Sequence, residues 1–148
     1  MKKVIPFVAA FYLTAIFIIL SVTHSAAFEC SGKTYSDEDF ERQKSSFTPY
    51  DKVFIMIECQ GLTTGDHTLS ASWIHEKEGL ARSDSHPFTV SENDHKKRIL
   101  FWFKLSRIGP LKSAFTNRDF YEKHFGNWTV EGFLDDTPVT KNKFEIIY

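Results

Sequence analysis

The sequence predicts an all-β domain, an antiparallel sandwich preceded by an apolar N-terminal helix. Three observations carry this reading. Apolar residues recur at every second position in several runs, most clearly in 53–59, 98–105 and 128–134, which is the period of a half-buried strand. Clusters of Gly, Asp, Asn, Ser and Pro separate these runs at short intervals, and such residues supply turn conformations. One long uncharged apolar stretch, Val4 to Val22, stands apart from the rest at the start of the chain.

That stretch follows Lys2 and Lys3 and ends in Thr23-His24-Ser25-Ala26-Ala27. A basic start, an apolar middle and a small-residue end form the pattern of a secretory signal. Ser25 and Ala27 would occupy the two small pockets of the peptidase, and cleavage after Ala27 would leave Phe28 first. The run also has about the 17 to 25 residues that a spanning helix needs, so an uncleaved anchor is the alternative. Cys30 is no lipidation site, because Glu29 stands where a small residue is required. The division is thus 1–27 as signal or anchor, 28–49 as a polar segment, and 50–148 as the sandwich.

Beyond Ala27 the chain is the size of one ordinary domain. Without Lys2 and Lys3 it carries 16 basic against 19 acidic residues, a formal charge of about −3 with both signs interspersed. Nothing in that balance suggests nucleic acid or an anionic membrane as partner. The local run His95-Lys96-Lys97-Arg98 reads as a solvated loop and strand start.

Both cysteines, Cys30 and Cys59, lie in the exported part, where two thiols in one small domain pair. The loop they close predicts about 3 to 4 kcal/mol of stabilisation in the chain-entropy model. They are not in a C-x-x-C arrangement, so a redox-active dithiol has no support. Residues 31–49 carry Ser, Thr and charge with few periodic apolar positions, which predicts a loop with one helical turn around Asp37 to Lys44, fastened to the core by the disulfide.

Val53 to Cys59 is the first clear strand, with Val53, Ile55, Ile57 and Cys59 on one face and Phe54, Met56 and Glu58 on the other. After the turn-rich Gly61 to Asp66, the segment His67 to His75 alternates Leu69, Ala71 and Trp73 against Ser70 and Ser72. Ala81 to Val90 is a weaker strand, placed at a sheet edge by Pro87, which cannot donate to a ladder. Arg98 to Leu105 is the strongest run. Ile99, Phe101, Phe103 and Leu105 share a face while Leu100 and Trp102 lie opposite, which predicts a central strand covered in part on both sides. Within 111–127, a short helix capped at Thr116 or Asn117 and ended by Gly126 would turn Phe120 and His124 inward; a structured loop fits nearly as well. Trp128, Val130, Gly132 and Leu134, then Asp135-Asp136-Thr137-Pro138, then Phe144, Ile146 and Tyr148 read as a C-terminal hairpin.

Gly126-x-Trp128-x-Val130, the two-aspartate turn and Phe144-x-Ile146, with Gly61-Leu62, Gly65-x-His67 and Trp73, resemble small immunoglobulin-like or fibronectin-like domains of bacterial exported proteins. The resemblance covers roughly residues 50–148. It implies an immunoglobulin-like β-sandwich whose aromatic hairpin is framework, and a tendency to bind or bridge instead of a catalytic residue set. The sequence departs from antibody-type domains, since no late-strand cysteine stands opposite Cys59.

No constellation fixes a reaction. His67, His75, His86, His95 and His124 are dispersed, without H-E-x-x-H or paired-histidine spacing, so no metal site is expected. No G-x-S-x-G elbow is present, and Asp135-Asp136 offers too few oxygens for calcium. Asn127-Trp128-Thr129 spells a glycosylation sequon. Among the tryptophans, Trp73 and Trp128 fall in register with apolar neighbours and read as core. Trp102 is the candidate for a ligand-facing aromatic.

The expectation is a noncatalytic binding or protein-interaction module, periplasmic or secreted, with a protein partner and no cofactor. Two alternatives stand beside it: a membrane-anchored accessory subunit that retains 1–27, and a carbohydrate-binding module using exposed aromatics.

Overall fold

A computed structural model of the chain describes residues 28–105 and 121–148. The described residues form eight strands: β1 Glu29–Tyr35, β2 Ser46–Phe47, β3 Lys52–Gln60, β4 Gly65–His75, β5 Gly79–Val90, β6 Lys96–Lys104, β7 Gly126–Leu134 and β8 Thr137–Ile146. They make two sheets, one ordered β1-β3-β6 and the other β2-β8-β7-β4-β5. Every pairing is antiparallel except the short parallel contact of β2 with β8.

The core lies between the sheets. Val53, Ile55, Ile57 and Cys59 of β3 and Ile99, Phe101 and Phe103 of β6 face Leu69, Ala71 and Trp73 of β4, Trp128 and Val130 of β7, and Phe144 and Ile146 of β8. Its centre is aromatic: Trp73 stacks on Phe103 at 5.2 Å, and Phe103 lies 5.0 Å from Trp128. Both buried indoles find acceptors, Trp73 Nε1 at the Asp84 carboxylate and Trp128 Nε1 at the His124 carbonyl, as a buried N–H requires. Trp73 and Trp128 are therefore framework, as their register indicated.

The C-terminal hairpin forms around Asp135 and Asp136, which hold φ of 48° and 66°. Two positive φ values in a two-residue loop are the conformation that matches the twist of a hairpin. Pro138 sits opposite Phe133, where the ladder shifts register and a missing N–H costs least. β5, with its Pro87, is the edge of the larger sheet, as expected.

Two expectations are corrected. Residues 31–49, read as loop, contribute β1 and β2, and the helical turn at Asp37–Lys44 is replaced by a turn at 38–39. β1 points only Cys30, Gly32 and Thr34 inward, so it lacks an apolar stripe and is a strand because β3 templates it. The segment is nonetheless tied by the disulfide. Cys30 pairs directly with Cys59 across β1 and β3, their Cα atoms 4.1 Å apart. The second correction concerns β6, which is not central. It is an edge of the three-stranded sheet, with β3 in the middle, and its apolar outward residues Leu100 and Trp102 are exposed. The expected helix in 111–127 falls largely outside the described residues; Tyr121 to Lys123 are helical.

A disulfide across two strands fits an oxidising, extracytoplasmic compartment. Among the described residues no helix is long and apolar enough to cross a membrane. Residues 1–27, read from the sequence as a signal or anchor, lie outside the described residues.

Candidate binding face on the three-stranded sheet

The outer face of β1-β3-β6 is built in rows, because antiparallel register places every second residue of each strand side by side. Tyr35, Phe54 and Trp102 form an aromatic row across all three strands. Next to it run Lys33, Met56 and Leu100, then Ser31, Glu58 and Arg98, then Glu29, Gln60 and Lys96. On the far side of the aromatic row stand Lys52 and Lys104. The face thus grades from cationic through aromatic and apolar to ionic.

Phe54 is only 4% exposed although it points away from the core, whereas Trp102 is 44% exposed. Phe54 sits on the middle strand between Tyr35 and Trp102, and the Lys52 ammonium lies over both rings, 5.9 Å from Phe54 and 5.2 Å from Trp102. A second cation reaches Trp102 from the other sheet. The Arg82 guanidinium of β5 lies 5.3 Å from the ring centroid. Arg82 is itself gripped by Asp84 at 2.6 Å, and Asp84 accepts the indole N–H of buried Trp73 at 3.2 Å. One chain of contacts, Trp73 to Asp84 to Arg82 to Trp102, therefore links the core to the exposed aromatic and closes the corner between β5 and β6.

At the opposite side the loop 36–42 walls a groove of 440 Å³ over Ser31, Lys33 and Tyr35 of β1, Met56 and Glu58 of β3 and Arg98 of β6. Asp39 and Phe40 form the wall. Asp37 braces the loop, accepting from the Glu41 amide at 3.1 Å and from Arg42 at 3.2 Å. Burial works to raise its pKa, but these bonds and that of Ser36 outweigh it and hold the carboxyl below its ordinary value. Phe40 is fixed with φ 57° and its ring edge-on to Tyr35 at 5.4 Å, a backbone state that costs a bulky residue on the order of 1 to 3 kcal/mol. Glu58, on the floor, takes both Lys96 and Arg98, and first these hydrogen bonds and then the positive charges lower its pKa.

Three of the histidines, His67, His75 and His95, are structural in this geometry. His75 is buried, donating from Nε2 to the Phe125 carbonyl and accepting at Nδ1 from the Glu78 amide. His95 Nδ1 meets the Leu62 carbonyl at 2.8 Å. His67 lies between the Asp135 carboxylate, 2.6 Å from Nδ1, and the Thr63 carbonyl, 2.8 Å from Nε2. The Thr63 hydroxyl is 3.4 Å from the same Nε2, yet a nitrogen that donates to a carbonyl cannot take a hydroxyl proton. This is a fastening, not a nucleophile and base. Among the described residues no three His, Cys, Asp or Glu side chains are placed to share a metal. Asn127 of the sequon is exposed and donates to Glu76 at 2.9 Å.

Sequence reasoning singled out Trp102 and the two cysteines. The structure puts Trp102 on the exposed face and joins Cys30 to Cys59, at the inner side of the same sheet. It missed Tyr35, Phe40, Arg82 and Asp84. Two lay in a segment read as loop and two on a weak edge strand, and no local pattern marks them.

Neither a protein-family model nor a curated protein sequence matches the chain. Solved structures do. One is a Pseudomonas fluorescens alkylpurine DNA glycosylase bound to DNA containing an abasic site analog, 8% identical with a TM-score of 0.55, covering 83% of this chain and 31% of that one. Another is a β-glucosidase from Listeria innocua in complex with glucose, 9% identical with a TM-score of 0.47, covering 80% of this chain and 16% of that one. The chain spans about a third of the glycosylase's length, and at such identity the likeness is one of fold alone.

Proposed function

We propose that the protein is an exported, noncatalytic interaction module with an immunoglobulin-like sandwich, and that it binds a protein partner on the outer face of β1-β3-β6. The immunoglobulin-like assignment is supported by strand order. Setting β2 aside and lettering the strands A to G along the chain, A, B and E share one sheet and C, F and G the other, as in immunoglobulin domains. The fourth strand, β5, joins the C-F-G sheet instead of the A-B-E sheet.

The observation that carries the binding reading is the exposed pair Leu100 and Trp102, set among ordered aromatics and cations beside a groove. Exposed aromatics framed by charge are characteristic of interaction surfaces. The test is site-specific photo-crosslinking in the native host, with a benzophenone amino acid at Leu100 and, as control, at exposed Lys143 of the other sheet. A discrete adduct from Leu100 alone supports the reading; no adduct, or one only from Lys143, overturns it.

A carbohydrate reading draws on the exposure of Trp102, but Lys52 and Arg82 already lie over its ring, so a stacked sugar would have to displace one of them. The anchored-subunit reading turns on whether residues 1–27 survive, which the intact mass of the native protein decides.

A further inference from the structure

Along β6 the outward side chains run Lys96, Arg98, Leu100, Trp102 and Lys104, so an exposed apolar pair is bracketed by cations at both ends. Lys52 stands beside Lys104, and Lys33 lies in the row of Leu100; against these cations stand Glu29 and Glu58 on the sheet and Glu38 of the 36–42 loop, which pairs with Lys52 at 3.4 Å. This inverts the sign of the chain as a whole, which carries −1. Glu58 neutralises part of Arg98 and Lys96, whereas Lys33 and Lys104 make no ion pair among the described residues. The outward side chains therefore carry more positive than negative charge around a hydrophobic strip, with Lys33 beside the strip and Lys104 at one end of it outside those pairs.

We propose that this face holds an extended acidic segment of a partner protein, laid along β6 with carboxylates at its two ends and two apolar side chains between them. The inference rests on the reading of the face as a partner-binding surface, and it names that partner's chemistry. Arg98 and Lys104 are six residues apart on one strand, about 20 Å at the rise of a strand. An extended peptide has the same rise and the same alternation, so the complementary pattern is acid-x-apolar-x-apolar-x-acid. Its two apolar side chains fall on Leu100 and Trp102, and its carboxylates meet Arg98 and Lys104, with Lys33 and Lys52 close enough to add to the field.

The test uses the native processed protein and a synthetic peptide, Glu-Ser-Leu-Ser-Phe-Ser-Glu with blocked ends, beside a version with glutamine at both Glu positions. Binding is followed by titration calorimetry and by amide shifts. The expected result is saturable binding with shifts centred on Leu100 and Trp102. Binding should be at least tenfold weaker for the glutamine peptide and for the Lys33→Glu/Lys104→Glu protein, whose changed side chains are exposed and leave the core untouched. Equal binding of both peptides, or indifference to the charge reversal, overturns the proposal. So does failure of the acidic peptide while phosphatidylglycerol vesicles or heparin bind, which would assign the face to another anion. A Leu100 crosslink in the host without any peptide binding refutes the acidic segment but leaves the interaction module standing; absence of both refutes the two together.

Discussion

His67 is fastened through both ring nitrogens, to a carboxylate on one side and a carbonyl on the other. Both acceptors favour the protonated ring. Its pKa is raised, first by the Asp135 hydrogen bond and then by the Thr63 carbonyl, while that of Asp135 is lowered, first by the His67 bond. The signs define a window. The His67 contribution is complete below its ordinary 6.5 and is lost as pH rises through its higher folded value; the Asp135 contribution is present above 3.8 and is lost as pH falls through its lower folded value. The fastening is thus strongest between those two values. Asp135 is half exposed, so after allowance for solvent screening Asp135→Ala should cost about 1 kcal/mol near pH 5.5 and less at pH 9. Urea unfolding at the two pH values checks this, and an equal loss at both would contradict it. Gly132 shows another single-residue constraint: a Cβ there would lie 2.6 Å from Thr140 Cγ2 and 2.7 Å from Ile57 Cδ1. Gly132→Ala should destabilise by about 1 to 3 kcal/mol through overpacking between the sheets, read as a fall in the urea midpoint.

β1 is the element that depends most on a covalent tie. Its inward residues Cys30, Gly32 and Thr34 bring little apolar surface, and its far edge is bridged to β8 by Asn142 donating to the Gly32 carbonyl at 2.7 Å. Replacing both cysteines with alanine should cost roughly 3 to 4 kcal/mol on the chain-entropy model. Hydrogen exchange should show β1 amides losing protection before those of β4 and β7; uniform loss across all three would argue against β1 as the weak element. The corner of β5 and β6 depends instead on Asp84. Asp84→Ala would strip the Trp73 N–H of its acceptor, a loss of about 1 to 3 kcal/mol for a buried donor, and release Arg82 from the Trp102 ring. Acrylamide quenching of the surface tryptophan should rise, and Asp84→Asn, which keeps an acceptor, should recover most of the stability. β3, β4 and β7 were legible because each alternates cleanly, and β8 through Phe144 and Ile146 at its end. β1 was not, since a strand templated by its neighbour carries no stripe of its own, and β6 was misplaced because an apolar outward face was equated with burial.

At the scale of the whole molecule, charge is distributed unevenly, with the outer face of the three-stranded sheet cationic in a chain of net −1. A partner held there by carboxylates should dissociate more readily in salt. Raising ionic strength from 0.05 to 0.5 M shortens the screening length from roughly 14 Å to roughly 4 Å and should weaken binding severalfold. Insensitivity to salt would point instead to the aromatic row as the dominant contact. The face itself belongs to no single segment. It takes rows from three strands separated by tens of residues, a wall from the 36–42 loop and a cation from the other sheet.

The sequence by itself determined the all-β class, most of the strands, the turn at Asp135-Asp136, the pairing of the two cysteines and the outward position of Trp102. Each follows from a local period, a local turn preference or the presence of just two thiols. Only the tertiary structure decided that β6 is an edge, that Tyr35 and Phe54 share a row with Trp102, that His67 meets Asp135, and that Arg82 and Asp84 connect Trp73 to the surface. Periodicity specifies which way a side chain points, but strand pairing and sheet packing choose its neighbours, and those neighbours come from distant parts of the chain.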